Sequence, residues 1–273
     1  MIKVTSSIHN HCTHCDGNNS AWEMAESAYL AGFTDFGFSS HSLIECTPAV
    51  WAMRDEKAYI DEINAIKKAY EGKMRVYCGL EVDYFSLPRE NKGFDYLIDS
   101  VHKLYKDGKY FSVDSSRELF EELLNVGYGG DGYKATKDYY ETICRMIEDR
   151  HPKVCCHIDL VTKFNDGMRY FDESDRRYLN SVYNALDLAI SSGAIIEVNY
   201  GAIARKCKST PYPASYLLPF LKEKKARLLI GSDCHNRDFI DFGFSKGVEL
   251  LVNNGFKCIT VYENGKYVEK PIV

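Results

Sequence analysis

The feature that most narrows the possible folds is an alternation along the chain. Short apolar runs give way to amphipathic segments about seven times over. Runs at 2–9, 34–39, 75–82, 94–101, 154–160, 194–200 and 227–232 read as strands, and helical periodicity lies between them at 20–32, 54–71, 136–149, 173–191, 214–225 and 243–254. Ser20 stands three residues before Glu23 and opens the first helix with a capping box; Gly32 closes it. A loop with Pro48 and Trp51 leads into the second helix. The stretch 103–135 is irregular and rich in Gly and Asp, with a short helix expected over 115–124. Near the end, 258–262 and 266–268 read as a hairpin about Asn264-Gly265.

Such an alternation builds either a parallel barrel or a doubly wound open sheet. No Gly-x-Gly-x-x-Gly or Walker loop follows any of the runs, which argues against dinucleotide and nucleoside-triphosphate binding. The two architectures are separated by where the metal-type side chains fall. His9, His11, Asp16, His41, Glu81, His102, His157, Asp233 and His235 stand at or just beyond the C-terminal ends of successive runs. A barrel gathers those ends into one ring, whereas an open sheet spreads them apart, so we expect the barrel. In the first run His9 and His11 alternate and point the same way, and Asp16 follows across a tight turn into Gly17.

Nine imidazoles and carboxylates exceed what one ion takes and suffice for two or three. Clustered divalent ions can clamp the oxygens of a displacement at phosphorus. Glu81, with two oxygens, is the natural bridge between them. Hydrolysis of a phosphate ester follows from this set more directly than redox chemistry.

Composition removes other classes. A formal net charge of −5 argues against nucleic acid as a partner. The apolar runs are too short to span a membrane, and the N-terminus has no signal-type apolar region. The ten cysteines are irregularly spaced, which points to a reducing cytoplasm; Cys12, Cys15, Cys156 and Cys234, which border candidate ligands, are expected to fill small buried sites. No Pro-, Gly- or Ser-rich linker divides the chain, so 1–273 is expected to be a single domain with a C-terminal hairpin near 256–270. A monomer and a small oligomer are equally compatible with the sequence.

The pieces His9-Asn10-His11 with Asp16-Gly17, Ser40-His41, Gly79-Leu80-Glu81, Ser100-Val101-His102, His157-Ile158-Asp159-Leu160 and Gly231-Ser232-Asp233-Cys234-His235 occur in an order and spacing that resembles the polymerase-and-histidinol-phosphatase (PHP) superfamily. Ile196-Glu197-Val198-Asn199 with Arg205, and Lys163-Phe164, resemble its histidinol-phosphatase branch. The resemblance implies a distorted seven-stranded, TIM-like (β/α) barrel with a trinuclear centre. One ion would take His9, His11, Glu81 and Asp233; a second Glu81, His102 and His157; a third Asp16, His41 and His235. Zinc, iron and manganese all suit such donors.

The implied reaction is hydrolysis of L-histidinol phosphate to L-histidinol and phosphate, in histidine biosynthesis, by a hydroxide bridging the metals. Arg205 is the first choice for the phosphate, Arg117 the second, and Arg169 a weaker third. Glu81, Asp233 and His235 would act with Arg205 in the catalytic set. His14 is a candidate proton donor, and Asp83, Asp131 and Asp159 are candidates for the substrate amine. Another small phosphomonoester or a nucleotide is the alternative substrate. A proofreading exonuclease and a non-catalytic metal-binding protein are the remaining readings; the acidic charge disfavours the first and the full ligand set the second.

Overall fold

The computed structural model describes residues 2–44, 46, 51–87 and 92–273; Pro48 of the expected loop lies outside them. In chain order the elements begin with β1 (Ser6–Ser7), α1 (Ala21–Leu30), β2 (Asp35–Phe38), α2 (Glu56–Ala69), β3 (Arg75–Asp83) and β4 (Tyr96–Ser100). A hairpin of β5 (Lys103–Lys106) and β6 (Lys109–Ser112) precedes α3 (Arg117–Glu122) and α4 (Gly132–Arg150). Then come β7 (Val154–Cys155), α5 (Arg176–Ser191), β8 (Ile195–Asn199), α6 (Gly201–Ala204), α7 (Leu218–Glu223), β9 (Arg227–Gly231) and α8 (Phe244–Asn253). A second hairpin, β10 (Cys258–Glu263) with β11 (Lys266–Pro271), follows.

Among the described residues seven strands form one sheet in the order β1-β2-β3-β4-β7-β8-β9, every pairing parallel. Its two edges meet at the C-terminal rim. Asn10 bridges Cys234 in parallel, His11 N–H donates to the Cys234 carbonyl at 2.8 Å, and Cys234 N–H to the His9 carbonyl at 3.3 Å. The sheet is thus a nearly closed barrel. At the opposite end β10 lies against both edges, where the Ser6 hydroxyl donates to the Tyr262 carbonyl at 2.7 Å. Tyr262 joins Ile8, Tyr77, Tyr96, Ile98 and Leu229 in an apolar plug inside the barrel.

Several elements differ from the sequence reading, each for a physical reason. The first strand is a two-residue ladder: beyond it, from His9 to His11, the chain pairs with Cys234 in the loop after β9 rather than with a strand. The run at 154–160 is a strand only over β7: His157 has φ 22°, and the chain turns at once into a 3₁₀ turn, Leu160–Thr162. The irregular stretch begins with the β5–β6 hairpin, whose turn residues Asp107 and Gly108 both have positive φ, the conformation a two-residue hairpin turn needs. The expected short helix is α3. The capping box forms as read, with Ser20 Oγ accepting from Glu23 N–H and Glu23 from the Ser20 N–H.

The closed end of the barrel is tied by one buried carboxylate. Asp35 accepts from Arg75 Nε and Nη2, each at 2.7 Å, from the Tyr77 hydroxyl at 2.7 Å and from Asn264 N–H at 3.2 Å, so it joins β2, β3 and the C-terminal hairpin. Burial works against its charge, but these donors hold its pKa below the usual carboxylate range. We expect Asp35→Asn to destabilise the fold by about 2–3 kcal/mol at neutral pH. A folded-state pKa below the unfolded value gives stability that is complete above the unfolded pKa and fades as pH falls through the folded one. The gap to the parent protein should therefore narrow below about pH 4 in urea titrations, because the parent loses this contribution there and the variant has none to lose.

Candidate metal centre

The barrel geometry delivers the nine candidate donors to one rim. Strand β3 carries Glu81, 1% exposed, into the middle of the group. Its Oε2 lies 3.2 Å from His9 Nε2 and 3.4 Å from His11 Nε2, and Asp233 Oδ1 lies 3.6 and 3.3 Å from the same two nitrogens. Its Oε1 faces the other way, 3.0 Å from His157 Nε2 and 3.3 Å from His102 Nε2. A third group forms beside these, where Asp16 Oδ1 lies 3.3 Å from His235 Nε2 and 3.6 Å from His41 Nε2. His41 Nδ1 also lies 3.0 Å from Glu81 Oε2, so the groups adjoin.

These separations test whether ions fit. Donors about 2.1 Å from a shared ion stand about 3.0–3.4 Å apart in octahedral or tetrahedral arrangement, close to what is seen. His11 Nε2 and Asp16 Oδ1 are buried without a hydrogen-bond partner, an arrangement that is costly unless a cation completes it. Sets such as His11, Asp16, His41 with His235, and His9, Glu81 with His157, bring their donors within 4.8 Å of one another. The residues present fit metal ions.

The electrostatics agree. Burial pushes the Glu81 carboxyl up, but His41, His9 and His102 more than reverse it and hold it well below the usual range. Asp233 is likewise held low against burial by Arg205 and His9. Burial alone would make His9 less basic, yet Glu197, Asp233 and Glu81 raise it well above an ordinary histidine. His11, buried and crowded by His235 and His41, drops to about 3 and is neutral at pH 7, as a ligand must be. Without ions, protons on His9, His41 and His102, each made more basic by the neighbouring carboxylates, offset the negative charge there; binding cations would release them.

Local structure explains how the donors are aimed. Asp16 is brought back toward His11 by a turn in which Cys15 N–H and Gly17 N–H both donate to the Cys12 carbonyl; a side chain at Gly17 would stand 2.5 Å from the Cys12 backbone nitrogen. Asp233 adopts φ 45°, which swings its carboxylate off the strand end. It is pinned there by Arg205, whose Nη2 donates to Asp233 Oδ2 at 2.9 Å and Nη1 to the Asp233 carbonyl at 3.0 Å. Arg205 Nη1 also lies 2.8 Å from His235 Nδ1. Glu197 takes the far side of His9, with Oε1 2.7 Å from His9 Nδ1.

A cavity of about 300 Å³ opens over this rim. Asp16, His41, His102, His157, Asp233, His235 and Arg205 reach it, together with Lys103, Asp114 and Lys163, and with Ile44, Trp51, Leu160 and Phe164 as an apolar wall. Lys163 and Asp114 form an ion pair at 3.3 Å in its side, and Asp114 is held near 2 by Lys163, His102 and Lys103 despite burial. No signal in the sequence points to Asp114 or to its pairing with Lys163, because that contact depends on how the 103–135 segment folds back over the rim.

Other expected contacts lie elsewhere. His14 does not line the cavity: its Nε2 is 2.5 Å from Glu62 on α2 and its ring packs edge-on to Tyr59. A general acid contributes about 10²–10⁴-fold, so His14→Ala, which removes no group from the cavity, is expected to leave turnover within about twofold in a steady-state assay. Arg117 is exposed in the first turn of α3, and Arg169 sits 3.9 Å from Glu121; neither lines the cavity. Asp131 caps α4, accepting from Tyr133 and Lys134 N–H. Asp159 is fully buried behind the rim, accepts from Ala214 N–H at 2.8 Å, and is pushed up to about 7 by burial. Asp83 does reach the cavity wall, but its Oδ2 accepts from His102 N–H at 2.7 Å and lies 3.2 Å from His102 Nδ1, so it orients that ring rather than standing ready for an amine. All ten cysteines are free thiols; Cys12, Cys156 and Cys234 are buried as expected, whereas Cys15 is partly exposed with its sulfur 3.5 Å from His11 Nδ1. Among the described residues no helix is long and apolar enough to cross a membrane.

A near-closed parallel barrel with a metal-binding rim defines the class, and the sequence agrees: residues 7–201 match the PHP domain family, to which the chain belongs. It is 28% identical over 272 residues to the histidinol-phosphatase of Bacillus subtilis, an alignment covering 91% of this chain and 99% of that one. Among solved structures, a Listeria monocytogenes protein superposes with a TM-score of 0.77 at 22% identity, over 88% of this chain and 98% of that one. The histidinol phosphate phosphatase of Lactococcus lactis, crystallised with zinc, L-histidinol and phosphate, superposes with a TM-score of 0.72 at 17% identity, over 97% of this chain and all of that one. At such identities the two structures speak for the fold alone.

Proposed function

We propose that the chain is a metal-dependent phosphomonoesterase whose substrate is L-histidinol phosphate, working as one domain in the cytoplasm with two to three zinc, iron or manganese ions. The observation that carries the reading is Glu81, whose two oxygens face two adjoining groups of imidazoles beneath an open, cation-lined cavity. The homology to histidinol-phosphatases supports the choice of substrate. When bound, the ions would supply Lewis acidity toward phosphoryl oxygens and a nucleophile at neutral pH.

His9, His11, Glu81 and Asp233 would hold one ion, His102 and His157 with Glu81 a second, and Asp16, His41 and His235 a third. The chain's own part is to receive and orient the ester. Arg205 keeps its remaining N–H groups for the phosphoryl oxygens, where charge grows as the leaving group departs. Lys163, paired with Asp114, is a second cation lining the same cavity. The apolar wall of Trp51, Phe164, Leu160 and Ile44 is where a leaving group with an aromatic ring would lie, shielded from water.

Lys163→Met should raise KM for the ester by about tenfold and lower kcat while metal content stays at the parent value. Equal KM with intact metal would remove Lys163 from the phosphate end. The reading as a whole is tested by phosphate release from a panel: L-histidinol phosphate, a nucleoside monophosphate, a sugar phosphate and glycerol phosphate. A kcat/KM at least about a hundredfold higher for L-histidinol phosphate is expected, since a site built to pair an ester's polar groups rejects analogues lacking them. A different monoester in first place would keep the chemistry and replace the substrate.

A further inference from the structure

Behind the first group of donors, residues from β8, β9, the turn after β7 and the rim after β1 meet around one carboxylate. Glu197 on β8 is 1% exposed and has no access to the cavity. Its Oε1 lies 2.7 Å from His9 Nδ1, and its Oε2 accepts from the His157 backbone N–H at 3.2 Å and from Asn199 Nδ2 at 2.9 Å. On the neighbouring strand Gly231 stands opposite Asn199 in the register, and a methyl group built on it would fall 1.9 Å from Glu197 Oε1. The carboxylate fits only because position 231 has no side chain.

We infer that Glu197 is a positioning residue of the metal centre and that Gly231 is its berth. With Nδ1 of His9 turned to the Glu197 carboxylate, Nε2, the nitrogen that faces Glu81 and Asp233, is the one left to bind an ion. The same carboxylate fixes the backbone of His157, which serves the second group through its own Nε2. One buried residue therefore sets the aim of a donor in each of two adjoining groups. The glycine of the Gly231-Ser232-Asp233-Cys234-His235 piece gains a reason: it makes room for an acid on the next strand. This rests on the reading of His9 and His157 as metal ligands.

The test compares Glu197→Gln, Gly231→Ala and the double variant. The methyl of Gly231→Ala meets the far end of a flexible side chain, which can swing away, so this variant displaces the carboxylate without removing it. Zinc affinity is measured by competition with a chromophoric chelator, and thermal unfolding is followed with and without excess chelator. Each single variant should bind zinc about 10–100-fold more weakly, and the double should bind within about twofold of the weaker single, because both act on the same contact. The melting temperature of the chelated protein should fall because the buried pair with His9 is lost, and the increment added by zinc should shrink beyond that fall. Parent-like affinity in Glu197→Gln, or losses that multiply in the double, would overturn the inference, as would an equal fall in melting temperature with and without zinc. If the parent protein itself bound no zinc, the metal-centre reading would fail instead, a distinguishable result.

Discussion

Glu81→Gln should yield a folded protein that has lost most of its bound metal and about a thousandfold or more of its turnover. The substitution is nearly isosteric, so packing in the barrel is preserved. What changes is the chemistry of one oxygen. The carboxylate presents Oε2 to His9 and His11 and Oε1 to His157 and His102. An amide presents one oxygen and one NH₂ group, and the NH₂ cannot ligate a cation. Whichever way the amide turns, one group of imidazoles loses its shared oxygen and the other keeps only a neutral one. The charge also matters: a 1% exposed carboxylate surrounded by imidazoles is the main counter-charge for cations there. Elemental analysis beside a phosphate-release assay checks this. Parent-like metal content in a folded Glu81→Gln protein would refute the bridging role.

Arg205→Ala should lower kcat/KM by about 10²–10³-fold, the scale of losing an anion-stabilising donor. From its place in the sequence Arg205 would be a phosphate contact only, and its removal would spare the metals. The structure changes that expectation. The guanidinium bonds Asp233 twice, through Oδ2 and the carbonyl, and holds the residue in a left-handed conformation that few side chains adopt. Removing it frees the Asp233 carboxylate to rotate, so metal affinity should fall along with turnover. Arg205→Lys keeps the charge without the fork, and should retain metal better than Arg205→Ala while recovering only part of the rate. Full activity in Arg205→Ala would exclude it from the phosphate end, and undiminished metal affinity would exclude the bracing of Asp233.

The seven-stranded parallel barrel was legible because the alternation of apolar and amphipathic runs follows from short-range rules, and the gathering of the candidate donors on one rim follows from the barrel. Side chains at the ends of parallel strands share one rim, so His41, Glu81 and His102 could be placed from the ends of their runs alone. His157 and Asp233 lie where the chain leaves its strand in unusual backbone conformations; their identity was legible but their aim was not. Residues that act through tertiary contacts were harder to find. Glu197 stood in view in the middle of a strand, yet its partner His9 is 188 positions away. Asp114 lies in a segment whose hairpin was signalled only by Asp107-Gly108. His14 looked like a site residue from its company, and its pairing with Glu62 on α2 takes it out of the cavity.

The central claim is that this rim holds metal ions that hydrolyse a small phosphate ester. Its most direct test is protein purified without chelator, with bound metals quantified and phosphate release from L-histidinol phosphate measured on the same sample. The account predicts two to three ions per chain and turnover that chelation abolishes and added zinc, iron or manganese restores. Protein that is fully active after its metals have been stripped would contradict it.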